Sequence, residues 1–299
     1  MKAVIGVDGE FRFESALALL GRLRFRDLHL DLVHVYRPMS ALVTAEISGP
    51  EPGGFIPARA LEQIEETNRA RAEETLSKAM AEASLLDSHL HGSVMLGFPT
   101  PQLISYSEDN HADLVGVTAH RHGALECFVL GSVCRGLMIG AKQSILIAKG
   151  NTVKEGDLKV VVATDHSAYS NRCMDKFFHF APQGLKEVTV LSVLEPQKFI
   201  PFSAEAAKTM IDEEHKDWRC VQSKTEALRQ RFAQICESSY ARVVIDDPKT
   251  QIAETMRETG ADLLIMGAQG RGFLERITVG SVSLHQVVSE NYPVLVIRQ

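Results

Sequence analysis

Cysteine is scarce in this chain of 299 residues: there are five, an odd number, and no two are spaced Cys-x-x-Cys. That argues against a disulfide framework and for reduced thiols in a cytoplasmic protein. Long apolar runs are missing as well. None approaches the roughly 18 residues of a membrane span. The opening "MKAVIGVDGE" has no apolar core of about 7–15 residues before a small-residue cleavage site, so no secretory signal is expected. Positive charge is not in excess. Lys and Arg number 32 against 38 Asp and Glu, a net charge of −6, so nothing draws the whole chain toward nucleic acid or an anionic membrane. Reaction signatures are also absent: there is no HExxH, no paired carboxylates and no Ser–His–Asp arrangement that points to a reaction.

What remains is ordinary for a globular protein, with 45% apolar and 23% charged residues. The length suits about two domains, and the sequence contains one unit written twice. Residues 112–148 align without a gap on 261–297, with eleven of 37 positions identical. Upstream, "KAVIGVD" (2–8) matches "KVVVATD" (159–165), each a short apolar run closed by an aspartate. Runs of β-formers bounded by turn residues read as buried strands. In each half five of them alternate with helical segments, which implies a parallel sheet covered on both faces. The charged stretch 58–83 reads as a solvated helix with one apolar face, and roughly 204–239 as its counterpart. The polar segment 151–157 reads as a linker, giving domains 1–150 and 158–299.

The stretch "GAQGRGFLERITVGS" (267–281) carries the chemistry. Gly267 follows the fourth strand of the second half, where ligands bind in open α/β sheets. Gly267 and Gly270 let the backbone turn and approach a ligand. Gly280 and Ser281 open the next helix, with Ser281 as a suitable N-cap, and Arg271 adds a cation. A helix start offers free N–H groups and partial positive charge to a phosphate. Glycines here would equally serve two ordinary turns; the strand before and the helix after favour a phosphate cradle.

The same residues carry a resemblance. "MGAQGRGFLERITVGSVS" is similar to the G-x2-G-x9-G-[S/T] nucleotide loop of the universal stress protein family, and "VVVATDHS" and "YPVLVIR" resemble that family's first and last strands. The likeness spans the chain once per half. It implies two five-stranded parallel α/β sandwiches (Rossmann-like, of the adenine-nucleotide-hydrolase type) paired within one chain like a dimer, with a further homodimer conceivable. It also implies ATP with magnesium as ligand: Gly267, Gly270, Gly280 and Ser281 at the phosphates, Met266 near the ribose, and Asp165 facing the adenosine with Thr164 and Ser167 beside it. Val193 would offer its backbone to the adenine.

The first half departs from the pattern. Thr118 stands where Gly267 stands and Arg121 where Gly270 stands, while Gly131-Ser132 survives. This half is expected to bind ATP poorly and to serve mainly as structure, the rival being another anion held by His120, Arg121 and His122. Two histidines at x1 spacing, His120 and His122, also make a zinc site conceivable, with Cys127, Cys134, His111 or a residue of the other half completing it; a solvated loop is the plainer reading. "HLH" (89–91) reads as a solvated turn, 37–57 as a flexible loop or lid, Trp218 and Phe232 as core or interface, and Cys220 and Cys236 as buried. The strand-one ends "VDGE" and "TDHS" lack the HxGH and SGGxDS of related nucleotide enzymes. A nucleotide sensor or switch is therefore expected, with at most slow hydrolysis; a nucleotide-free scaffold and a weak ATPase are the alternatives.

Overall fold

The computed structural model describes residues 1–9, 13–38, 58–86, 89–119, 131–150, 156–196, 204–270 and 279–299. The first half runs β1 (Lys2–Val7), α1 (Glu14–Leu23), β2 (His29–Tyr36), α2 (Ala58–Ala83), β3 (His89–Leu96), α3 (Pro99–Asp109), β4 (Leu114–Ala119), α4 (Ser132–Gly140) and β5 (Ser144–Lys149). The second half repeats it as β6 (Leu158–Ala163), α5 (Ala168–His179), β7 (Leu185–Leu194), α6 (Ala204–Phe232), β8 (Cys236–Ile245), α7 (Pro248–Thr259), β9 (Leu263–Gly267), α8 (Ser281–Ser289) and β10 (Val294–Ile297).

The ten strands form one sheet in the order β3-β2-β1-β4-β5-β10-β9-β6-β7-β8. Every pairing is parallel except β5 with β10, which run antiparallel with Leu146 opposite Leu295. The halves thus meet back to back through their last strands, and the surface that could have paired with a second chain is used internally.

Strand alternation sorts the core into two layers. Ile5 and Val162 point to the face covered by α1, α2, α5 and α6, where Leu20, Leu76, Phe177 and Phe232 pack. Val4 and Val161 point to the other face, against Leu103, Leu137, Ile252 and Val287 of α3, α4, α7 and α8. Both layers run unbroken from one half into the other. Local signals fix the helix ends. Ser167 caps α5 by accepting the Ser170 N–H, and Asp247 caps α7 by accepting the Thr250 N–H ahead of Pro248. α7 stops at Gly260, whose φ of 61° is left-handed.

Three contacts lock the seam. At its base the end of α1 lies against the turn before β7. The Gln183 and Gly184 N–H groups donate to the Leu23 carbonyl, and Phe25 meets Phe180 edge to face at 5.8 Å. A Cβ on Gly184 would stand 1.6 Å from the Arg22 carbonyl oxygen, so only glycine fits there. Beside it the Arg22 guanidinium pairs with Asp262 at 3.0 Å, both side chains largely buried. On the other face, two cations at the same place in each repeat cross over. Lys149, 1% exposed, donates to the carbonyls of Gln286, Val287 and Glu290 at the end of α8. Arg298 donates to the carbonyls of Met138 and Ala141 at the end of α4. Burial pulls the Lys149 ammonium down to about 8 from its ordinary value, which leaves it charged at pH 7.

Several expectations change. His89–His91 open β3 rather than forming a turn; the rings of His29 and His89, in register on β2 and β3, stack at 4.6 Å. Cys220 is exposed, because it lies on the outer side of α6, and Cys236 is half-buried. Phe232 is in the core, as expected, and Trp218 is half-buried. α6 ends at Phe232 and β8 begins at Cys236, earlier than the apolar run 241–246 suggests. The lid segment 37–57 lies almost wholly outside the described residues.

Candidate functional site

The second half carries a cavity of about 470 Å³ at the carboxyl ends of β6, β7 and β9. That size lies within the range of small-molecule sites, about 300–1,000 Å³. Its floor is made by Thr164 and Asp165 after β6, by Ser192 and Val193 of β7, and by Met266 and Gly267 of β9. One wall is Gly270 with the start of α8, Gly280 to Ser283. The opposite wall is Leu194, Glu195, Asp217 and Val221, and Pro248 and Ile252 from α7 close the base.

The residues singled out from the sequence converge on this space, with two exceptions. Thr164, Asp165, Val193, Met266, Gly267, Gly270, Gly280 and Ser281 line it. Ser167 does not: its hydroxyl is spent on capping α5, and its own N–H donates to Asp165 Oδ1 at 3.0 Å. Arg271 lies outside the described residues, as do His120 and His122, so the zinc expectation falls there too. Among the described residues no group of three or more His, Cys, Asp or Glu could hold a metal ion.

Of the two parts expected of the glycines, a turn and close approach, the geometry matches the second. None of Gly267, Gly270 and Gly280 has a left-handed φ. A Cβ on Gly267 would meet the protein only at ordinary contact, 3.5 Å from Cys173 Sγ. A Cβ on Gly270 would lie 3.1 Å from Asp165 Oδ2. These positions therefore keep space open rather than permit a turn. Gly280 is the N-cap of α8, with φ −74° and ψ 154°, and no side chain caps the helix. Ser281 is its first helical residue, not its cap. A helix start without a side-chain cap leaves first-turn N–H groups for a ligand. Ser283 is turned away, donating to the Gly267 carbonyl at 2.9 Å, which ties the helix to the end of β9.

Beneath the floor lies a buried polar knot. His166, on the loop after β6, has a φ of 54°. Its Nε2 lies 2.9 Å from Thr225 Oγ1 and 3.0 Å from Ser192 Oγ. The His166 backbone N–H donates to Thr164 Oγ1, which is also 2.9 Å from Ser170 Oγ. This network fixes the strand-end backbone on which Asp165 stands. Burial raises the neighbouring Cys173 thiol to about 11, so it is a neutral packing group at pH 7.

The first half has a matching cavity of about 310 Å³, lined by Asp8, Val35, Pro99, Leu103, Thr118 and Ser132 among others. Thr118 occupies the end of β4 where Gly267 ends β9. The polar knot is rearranged. His34 of β2 brings its ring under the loop, with Nδ1 2.8 Å from the Val7 carbonyl. Gly9 lies beside it, where a Cβ would meet the ring only at ordinary contact, 3.8 Å. One half takes its histidine from the loop and the other from the strand. Burial lifts the thiol of Cys134 at this cavity to about 11.

Sequence reasoning missed Glu195, Asp217, Val221, Pro248 and Ile252. The signal for the last two was present: Pro99 and Leu103 line the other cavity at the same places in the repeat.

Comparison with known proteins agrees with this architecture. The profile of the Universal stress protein family matches residues 1–149 and again residues 158–298. A universal stress protein of Mycobacterium tuberculosis is 26% identical over 99% of this chain and 96% of its own. One from Methanocaldococcus jannaschii is 26% identical over 47% of this chain and 82% of its own. Among solved structures, a universal stress protein of Archaeoglobus fulgidus superposes with a TM-score of 0.63 at 16% identity, covering 99% of this chain and 98% of its own.

Proposed function

Since both halves of the chain belong to the universal stress protein family, we propose that it is a stress-response protein whose second half binds ATP and whose first half is mainly structural. The observation that carries this reading is the cavity between Asp165 and the uncapped start of α8. Phosphates would be held by the backbone N–H groups of Ser281 and Val282 in the first turn of α8, assisted by the helix field, with Gly270 leaving room beside them; the Gly280 N–H is already given to the Ala268 carbonyl. The adenine would lie against Val193 and Ile252, and Asp165 would take the ribose side. Asp165 also faces Gly270, with its Oδ2 3.1 Å from where a Cβ there would stand, so among the described residues it is the carboxylate that would help hold a magnesium ion already bound to the phosphates.

The protein would act as a switch, with nucleotide occupancy changing how its surface meets partners. The test is calorimetric titration of the full chain with Mg-ATP, alongside Gly270→Val, which fills the space facing Asp165. Binding by the wild type and its loss in the variant, with an unchanged thermal midpoint, is the expected result. No binding by the wild type up to millimolar ATP would overturn it in favour of a nucleotide-free scaffold. Phosphate release proportional to protein and absent in the variant would identify a weak ATPase.

A further inference from the structure

α8 is a helix of nine residues with no side-chain cap at its start, no basic residue in its last turn, and an extended residue, Glu290, at its C-cap. So short a helix does not hold itself, and no left-handed cap turns its last carbonyls back into the chain. Those carbonyls are instead taken by Lys149 of the first half, whose Nζ lies 3.2, 2.5 and 2.8 Å from Gln286, Val287 and Glu290 oxygens. The ammonium therefore sits at the negative end of the helix. Gly280 and Ser281, on the cavity wall, form the positive end about 13 Å away at 1.5 Å per residue. The second half does not complete its own ligand helix.

We propose that Lys149 is a positioning residue for the phosphate side of the second-half cavity: the first half sets the orientation and field of the helix that meets the ligand's anionic tail. The inference rests on the nucleotide reading above. It assigns the first half a part in binding although its own glycine loop is altered. Arg298 supplies the internal comparison. It occupies the same place in the repeat but clamps α4, the helix of the other cavity.

The test measures Mg-ATP and adenosine binding to the full chain at pH 7 for wild type, Lys149→Met, Lys149→Gln, Lys149→Arg and Arg298→Met, each checked for its thermal midpoint. Loss of the ammonium is expected to weaken Mg-ATP about tenfold and change adenosine less than twofold, because only ATP carries the tail. Lys149→Arg recovers most of the ATP affinity, and Arg298→Met leaves the ratio of the two affinities as in wild type. Equal weakening of both ligands, or no weakening of either, overturns the proposal, as does failure of both neutral variants to fold, which would make the residue one of folding alone. A wild type that binds neither ligand refutes the nucleotide reading itself, whereas a wild type and Lys149→Met that bind ATP equally refute only the role of Lys149.

Discussion

Gly184→Ala should destabilise the chain by much more than a surface glycine does. The added Cβ would lie 1.6 Å from the Arg22 carbonyl oxygen and 2.8 Å from its carbon, both backbone atoms that no side-chain rotation can move. Reaching even 3.0 Å requires the end of α1 and the turn before β7 to part by about 1.4 Å. That shift breaks the Gln183 and Gly184 N–H bonds to Leu23, each 3.1 Å. Overpacking of this kind costs about 1–3 kcal/mol and each of the two lost hydrogen bonds about 1 kcal/mol, so the total is roughly 3–5 kcal/mol. Urea unfolding followed by circular dichroism and by the single tryptophan, Trp218, measures it. Gly9→Ala is the control, since its Cβ would meet only His34 at 3.8 Å. If Gly184→Ala unfolds within about 0.5 kcal/mol of wild type, the close approach of the two halves is not the constraint described.

Phe232→Ala removes a fully buried ring lying 4.6 Å from Phe178 and 6.2 Å from Phe177, and should cost about 3–5 kcal/mol in the same assay. Arg22→Met leaves the buried Asp262 carboxylate without its cation; a loss of about 3–5 kcal/mol is expected, part of it recovered by adding Asp262→Leu. Asp247→Ala removes the cap of α7 and should cost about 1 kcal/mol at pH 7. The Thr250 N–H holds the Asp247 carboxyl below its ordinary value. Its folded value is thus below its unfolded one, and its contribution is complete above the unfolded pKa of about 3.9. It is lost as pH falls through the folded value, so wild type and variant should converge in acid when unfolding is followed against pH.

Much of the architecture was legible because the core strands are unambiguous. "ILIA" and "VLVI" are buried on both faces and read as such. β8 was half hidden because an edge strand need not be apolar: "CESSY" alternates polar side chains, and only "ARVVI" announces a strand. The glycine wall of the cavity was readable from one contiguous motif, whereas the floor residues Thr164, Asp165 and Val193 followed from the family resemblance. Glu195 and Asp217 were not readable, because they arrive from separate segments and carry no local pattern. Of the two reasons for the glycines, a turn and close approach to a ligand, only the second matches the geometry, and a sequence does not separate them. Lys149 and Arg298 look like solvated cations closing a strand. Only the antiparallel meeting of β5 and β10 turns each toward the opposite half.

That meeting has an evolutionary corollary. In an assembly of identical subunits every substitution is made twice, and a change that suits one pocket is imposed on its mirror image. Here the mirror is written in separate codons. Threonine can replace glycine at 118 while 267 is untouched, a histidine can migrate from loop to strand in one half alone, and lysine at 149 can stand where arginine stands at 298. Covalent linkage thus freed two copies of one design to age at different rates while remaining each other's obligatory neighbour.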